Sequence, residues 1–174
     1  MFDIHQAVPA DAGEIFTLQR AAFVDEAQAL GDPFVLPLTE SLGRVERLLG
    51  LEDVLVLKAV SGTRSVGTVR ARVRGTGALV ARLAVAPDLR RRGIGRALLV
   101  DLEHRLRERH PQLTSLTLST GAQDAGPQRL YRGLGYTETS RERVADHLVL
   151  VHMRKELMPK PTDGGTVIGR GTVV

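Results

Sequence analysis

The chain has 174 residues and 18.9 kDa, with 43% hydrophobic and 25% charged residues, which suits one globular domain and excludes two of ordinary size. It has no Cys and no run near the roughly 20 apolar residues of a membrane-spanning helix, so disulfides, thiolate zinc sites, a cysteine nucleophile and a helical span are excluded. The net charge is +4, yet 12 of the 24 basic residues lie between Arg64 and Arg109 beside only four acids, and 21 of the 24 are Arg, whose planar fork suits phosphate oxygens.

The N-terminus carries Asp3 and His5 and lacks a basic stretch followed by an apolar one, so no secretory signal is visible and a soluble cytoplasmic domain is expected. Phe2–Val8 reads as a first strand. Asp11 with Glu14 resembles a capping box, and Ile15, Leu18 and Ala22 continue as a helix expected to end near Phe23–Glu26. After the Gly31-Asp32-Pro33 loop, Thr39 can cap a second helix with Leu42, Val45 and Leu49 on one face, stopped by Gly50. Asp53–Val60 and Ser65–Arg74 read as strands joined at Ser61-Gly62. In the second, Val69, Ala71 and Val73 face one way, and Arg70, Arg72 and Arg74 the other, as on a wet sheet face. Leu79, Ala81, Leu83 and Val85 alternate in a further strand ending at Pro87.

Ile94, Leu98, Leu102 and Leu106 line one face of a strong helix that finishes around Arg109, before Pro111. Leu113–Ser119 is a strand, Pro127–Arg132 a short helix, and Tyr136–Arg143 with His147–Lys155 a closing antiparallel pair. The order β-α-α-β-β-β-α-β-α-β-β predicts a mixed, mostly antiparallel α/β sheet of about seven strands with about four flanking helices. That domain spans residues 1–157. Residues 158–174 read as a Gly/Pro-containing tail, in which Thr166-Val-Ile and Thr172-Val-Val could add a strand to a sheet edge.

The chemistry concentrates between Arg82 and Arg96. A strand runs into a turn that opens directly into a helix, and Gly93 and Gly95 remove side chains where the backbone turns. The unpaired amides from Arg91 to Arg96 can then share one concavity ahead of the helix dipole, a geometry that binds phosphate. Arg90, Arg91, Arg92 and Arg96 surround it with charge. No Lys lies between Lys58 and Lys155, which excludes a Walker A loop, and Leu98 stands where a dinucleotide fingerprint needs its third Gly.

Arg90-x-x-Gly93-x-Gly95 after a strand ending Leu83-x-Val85-x-Pro87 resembles the signature of the GCN5-related N-acetyltransferase (GNAT) family. Leu130-Tyr131-x-x-Leu134-Gly135-Tyr136, about 40 residues on, is similar to a second family segment, and His152–Leu157 to many family C-termini. The resemblance covers Phe2 to Leu157. It implies transfer of an acetyl group from acetyl-CoA, as cosubstrate and without a metal, to a primary amine of a small molecule or a protein N-terminus. By it, Arg90, Arg91, Arg92, Gly93, Ile94, Gly95 and Arg96 hold the pyrophosphate. The edge at Leu83, Ala84 and Val85, splayed from Leu113–Ser119, pairs with the pantetheine, which Asp124 and Tyr131 also touch. The Val85 amide stabilises the oxyanion, and Tyr131 protonates the departing thiolate as general acid. A homodimer is common in the family.

Three features depart from the family pattern, one of them Pro127, which replaces the usual small residue four before Tyr131. Asp124 stands where members often carry Asn, and an ionised Asp only accepts hydrogen bonds. Ala78–Arg82 lacks the Glu that many members use as general base, which leaves Glu26 or a water chain. A non-catalytic acyl-CoA sensor is therefore one alternative. A basic nucleic-acid-binding domain is another, poorly supported because only 3% of residues are aromatic. Arg70, Arg72 and Arg74 read as a solvated face, His104 and His110 as solvated helix residues, and His147 and His152 lack metal-ligand spacing. Glu26–Leu38 and Ala145–Leu148 are the specificity loops that the resemblance implies.

Overall fold

The computed structural model describes residues 1–159. Its elements are β1 (Asp3–Gln6), a 3-10 turn (Pro9–Asp11), α1 (Ala12–Leu30), α2 (Leu36–Thr39), α3 (Leu42–Leu49), β2 (Val54–Ser61), β3 (Arg64–Arg74) and β4 (Gly77–Val85). A second 3-10 turn (Pro87–Leu89) leads to α4 (Ile94–Arg109), β5 (Ser115–Gly121), α5 (Ala125–Gly133), β6 (Thr137–Ala145) and β7 (Leu148–Glu156). The strands form one sheet in the order β1-β2-β3-β4-β5-β7-β6, antiparallel throughout except for β4 with β5. This is the mixed seven-stranded sheet that the sequence predicts, with α2 as one additional helical turn. No helix of the described residues is long and apolar enough to cross a membrane. The Thr166-Val-Ile and Thr172-Val-Val segments lie outside the described residues.

Three local expectations need correction. The first helix runs on to Leu30, because nothing breaks it before Gly31, whose left-handed backbone (φ 64°) donates to the carbonyls of Ala27 and Gln28. Asp11 does not cap that helix; its carboxylate accepts from Val8 N–H at 2.8 Å and from Lys58 Nζ at 2.6 Å, closing the preceding turn. The second full helix is capped by Ser41, whose hydroxyl accepts from Arg44 N–H, and not by Thr39.

The two faces of the sheet are distinct. On one, α4 buries Ile94, Leu98, Leu99, Leu102 and Leu106 against β2 and β3, the face that the periodicity predicts. Contact is so close that a Cβ on Gly67 of β3 would lie 2.7 Å from Ile94 Cγ2 and 2.9 Å from Leu98 Cδ1. On the other face α1 and α3 cover β2 to β4, enclosing a second cluster around Ile15, Val45, Leu48 and Val56. Beyond β4 that face carries no helix, and Ser119 and Arg154 are exposed there.

The alternation expected for Leu79, Ala81, Leu83 and Val85 breaks in mid-strand. Arg70 pairs with Ala81 and Thr68 with Ala84, so Arg82 and Leu83 together oppose the single residue Val69, a β-bulge with Arg82 at φ 55°. The extra residue reverses the parity. Leu83 and Val85 join Ala78 and Val80 on the α4 face, whereas Ala81, Arg82 and Ala84 face α1. Leu79 is left 52% exposed.

Candidate active site

The parallel pairing of β4 with β5 lasts three residues, Gly77–Ser115, Ala78–Leu116 and Leu79–Thr117, after which the strands diverge. Beyond the bulge the ladder between β3 and β4 resumes. Ala86 N–H donates to Val66 O at 2.9 Å, so Ala84 and Ala86 spend their backbone groups on β3. By the alternation of an antiparallel ladder, Val85 directs its N–H and carbonyl the other way, into the splay.

The turn after β4 reverses handedness twice, at Arg91 (φ 62°) and Gly93 (φ 81°), and α4 begins at Ile94. Backbone of this kind turns successive amides toward one concavity. The amides of Ile94, Gly95 and Arg96 have no carbonyl one turn back and add to it. A cleft of about 510 Å³ lies in front. Leu83, Val85 and Leu130 form its apolar wall, Gly93, Ile94 and Gly95 its base, and the Arg91 and Arg96 side chains its rim. A Cβ on Gly95 would make ordinary contacts with Leu83, Leu130 and Val85 at 3.6–3.7 Å.

Not every sequence candidate lines this cleft. Arg90 does, but its guanidinium ties the turn to α1 through Asp25 and the Ala22 carbonyl (2.8 Å). Arg92 points to solvent beside Asp88. Ala84 is buried on the α1 face. Asp124 precedes α5, its amide donating to Gly121 O at 3.1 Å, and lies off the lining.

Tyr131 of α5 reaches the cleft while only 9% exposed, its ring edge-on to Tyr136 at 6.0 Å. Burial, with the charges of Glu26 and Asp124 nearby, pushes its phenol up to about 12, so it holds its proton at neutral pH. Glu26, from the α1 extension, is raised by its own burial and by Asp124, against the pull of Arg82.

The uncovered face of β5 and β7 brings together three residues that sequence spacing did not connect. Ser119 Oγ lies 2.6 Å from His152 Nδ1, and His152 Nε2 lies 2.8 Å from Glu142 Oε2. In the neutral ring Glu142 accepts from Nε2, leaving Nδ1 to accept the Ser119 hydroxyl proton. The cross-strand pair of Ser119 with His152 links β5 to β7, and 33 residues of sequence hide it. His147, in turn, contacts Asp32 at 2.8 Å, joining the loop after α1 to the β6–β7 turn.

The arginine stripe on β3 is a free wet face only at Arg74, which is exposed. Arg70 is bidentate to Glu40, which is only 5% exposed, and Arg72 pairs with Asp53. Arg64 pairs with Asp88, Arg105 with Asp101 and Arg107 with Glu103. Among the described residues, Arg91 and Arg96 at the cradle and the solvent-facing Arg92 beside it have no such partner. Excess positive charge therefore gathers at the α4 N-terminus.

The domain profile described as "Acetyltransferase (GNAT) domain" matches residues 32–157. The chain belongs to the GNAT acetyltransferase family. GNAT structures of similar fold include the ribosomal-protein-S18-alanine N-acetyltransferase of Escherichia coli, with a TM-score of 0.74 at 22% identity over 90% of this chain and 94% of that one. The PaiA N-acetyltransferase of Thermoplasma acidophilum, in complex with coenzyme A, has a TM-score of 0.74 at 15% identity over 90% and 99%. In sequence, the uncharacterised protein YyaT of Bacillus subtilis (strain 168) is 36% identical over 92 residues. That match spans 53% of this chain and 59% of YyaT.

Proposed function

We propose that this GNAT chain is an acetyl-CoA-dependent N-acetyltransferase acting on a primary amine. One observation carries the reading: a phosphate cradle at the α4 N-terminus, the free Val85 amide in the splay and the protonated Tyr131 hydroxyl converge on one cleft. The cleft suits an acyl-CoA, with amides and Arg91 and Arg96 for phosphate and Leu83, Val85 and Leu130 for the arm. When bound, acetyl-CoA supplies an acetyl group activated as a thioester. Val85 N–H stabilises the oxygen on which negative charge develops. As the C–N bond forms and the C–S bond breaks, the Tyr131 hydroxyl gives its proton to the leaving sulfur.

The amine must also lose a proton. Ser119 stands on β5 just past the last pairing with β4, on the face open to an acceptor. Its hydroxyl takes the proton and passes its own to His152 Nδ1, with Glu142 orienting the ring. This route supplies the base missing from Ala78–Arg82.

Acetyl-CoA titration followed by a CoA-release assay with amines tests the reading. Gly93→Glu should abolish binding. Tyr131→Phe should keep the acetyl-CoA Kd within a few-fold and lower kcat by about 10²-fold or more. Ser119→Ala and His152→Gln should lower kcat while leaving the acetyl-CoA Kd unchanged. Absence of acetyl-CoA binding by the wild-type protein would refute the whole reading. Binding without release of CoA across the amine panel would instead make the chain an acyl-CoA sensor.

A further inference from the structure

The acidic group at the centre of the α1-face cluster is fully committed. Glu40 Oε1 accepts from Arg70 Nη2 (2.8 Å) and Arg44 Nε (3.3 Å), and Oε2 from Arg70 Nη1 (3.0 Å) and Gln19 Nε2 (2.9 Å). A carboxylate has about four lone-pair sites, and all four are filled. Arg82 is left over. Its Nε comes no nearer than 3.7 Å to Glu40 Oε2, and its guanidinium makes no hydrogen bond to any described residue. Arg20 also has a buried nitrogen without a partner, Nη1, but its Nη2 is spent on the carbonyls of Leu38 and Glu40 and its guanidinium stacks on Phe16.

Resting on the acyltransferase reading, we propose that Arg82 receives a carboxylate of the acceptor, so that the substrate is a small primary amine bearing a carboxylate, an amino-acid-like molecule. Arg82 faces α1, the side of the splay away from the phosphate cradle. It stands three residues before Val85, no more than about 10 Å along the strand. Its side chain is 21% exposed, although its Nε is buried. A planar guanidinium with unused donors is matched to a carboxylate in bidentate contact. Burial and the neighbouring Arg70 charge lower its pKa, and Glu40, already shared with Arg70 and Arg44, opposes that only in part, so an incoming anion adds to an incomplete compensation. Arg82 also holds a left-handed backbone at the bulge, a conformation that disfavours a branched or bulky side chain.

The test uses the full chain. Acetyl-CoA is titrated first, and turnover is then measured for free amino acids against their matched α-carboxamides. The expected result is at least a 10-fold higher kcat/KM for the acids. Arg82→Met should erase that advantage through KM while leaving the carboxamide values and the acetyl-CoA Kd unchanged, and Arg82→Lys should restore part of it. Unchanged acetyl-CoA binding shows that each variant is folded. A readout free of turnover is titration of N-acetyl amino acids and their carboxamides into the CoA-bound protein, where only the acids should bind and Arg82→Met should lose them. Equal use of acids and amides, an equal loss for both in Arg82→Met, or no binding of the N-acetyl acid overturns this inference. The first two leave the acyltransferase reading standing, whereas failure to bind acetyl-CoA overturns that reading itself.

Discussion

Replacing Gly67 by Ala should injure the site from behind it. The new Cβ would stand 2.7 Å from Ile94 Cγ2 and 2.9 Å from Leu98 Cδ1, well inside the 3.4 Å where ordinary contact begins. Neither neighbour can yield cheaply. Ile94 is β-branched and 4% exposed, and Leu98 is fully buried. Relief requires α4 to move off β3, and overpacking of this kind costs about 1–3 kcal/mol. Ile94 opens α4 directly after Gly93, so the same movement disturbs the amides of the cradle. Urea titration should show a lower midpoint at unchanged slope. Acetyl-CoA titration under conditions where the variant is folded should show at least a 10-fold weaker Kd. Gly77→Ala is the control, because its Cβ would meet Ser115 Oγ at an ordinary 3.5 Å. A Gly67→Ala protein with wild-type midpoint and wild-type affinity would refute the close packing of α4 on β3 as the support of the cradle.

Gly93→Ala tests conformation rather than space. A Cβ there meets nothing within 4 Å, but φ of 81° costs an L-residue about 1 kcal/mol, so urea midpoints should fall slightly while acetyl-CoA binding falls more. Glu40 offers a pH test. Burial pushes its carboxyl up, but hydrogen bonds from Arg70 and Gln19 and the charges of Arg70 and Arg82 outweigh this and hold it at about 2, against an ordinary 4.5. With the folded pKa below the unfolded one, its contribution of about 3 kcal/mol is complete above pH 4.5 and is lost as pH falls toward 2. Denaturant midpoints measured from pH 7 to pH 3 should fall less steeply for Glu40→Gln than for the wild type. That variant should also be less stable by roughly 3 kcal/mol at pH 7, because Arg70 is left buried beside a neutral group.

Where a feature is local in sequence, the sequence shows it. The 3.6-residue spacing of Ile94, Leu98, Leu102 and Leu106 locates α4, and Gly93 and Gly95 locate the turn before it. Gly31 likewise marks the end of α1, since no breaker precedes it. What escapes is set by register and by partners far along the chain. Ser119, His152 and Glu142 meet because β7 pairs with both β5 and β6, and no spacing between 119 and 152 announces that. Arg70 looks like its neighbours Arg72 and Arg74 until α1 and the segment after α2 bring Gln19 and Glu40 over it.

The bulge at Arg82 shows how much one residue can decide. In an unbroken strand, Leu79, Ala81, Leu83 and Val85 would share a face, and an apolar cleft wall at Leu83 and Val85 would require Ala81 and Leu79 to pack against α4 as well. Ala78 and Val80 occupy that position instead, at 3% exposure each, and the doubled residue restores Leu83 and Val85 to the same side. The shift has three consequences at once. It furnishes the cleft wall against Gly95, it turns the Val85 N–H toward the gap left by β5, and it leaves Arg82 on the opposite face among Gln19, Arg70 and Glu26. The positive φ that Arg82 adopts is thus the local condition for the proposed arrangement, with the cosubstrate cradle on one side of the sheet and the acceptor on the other.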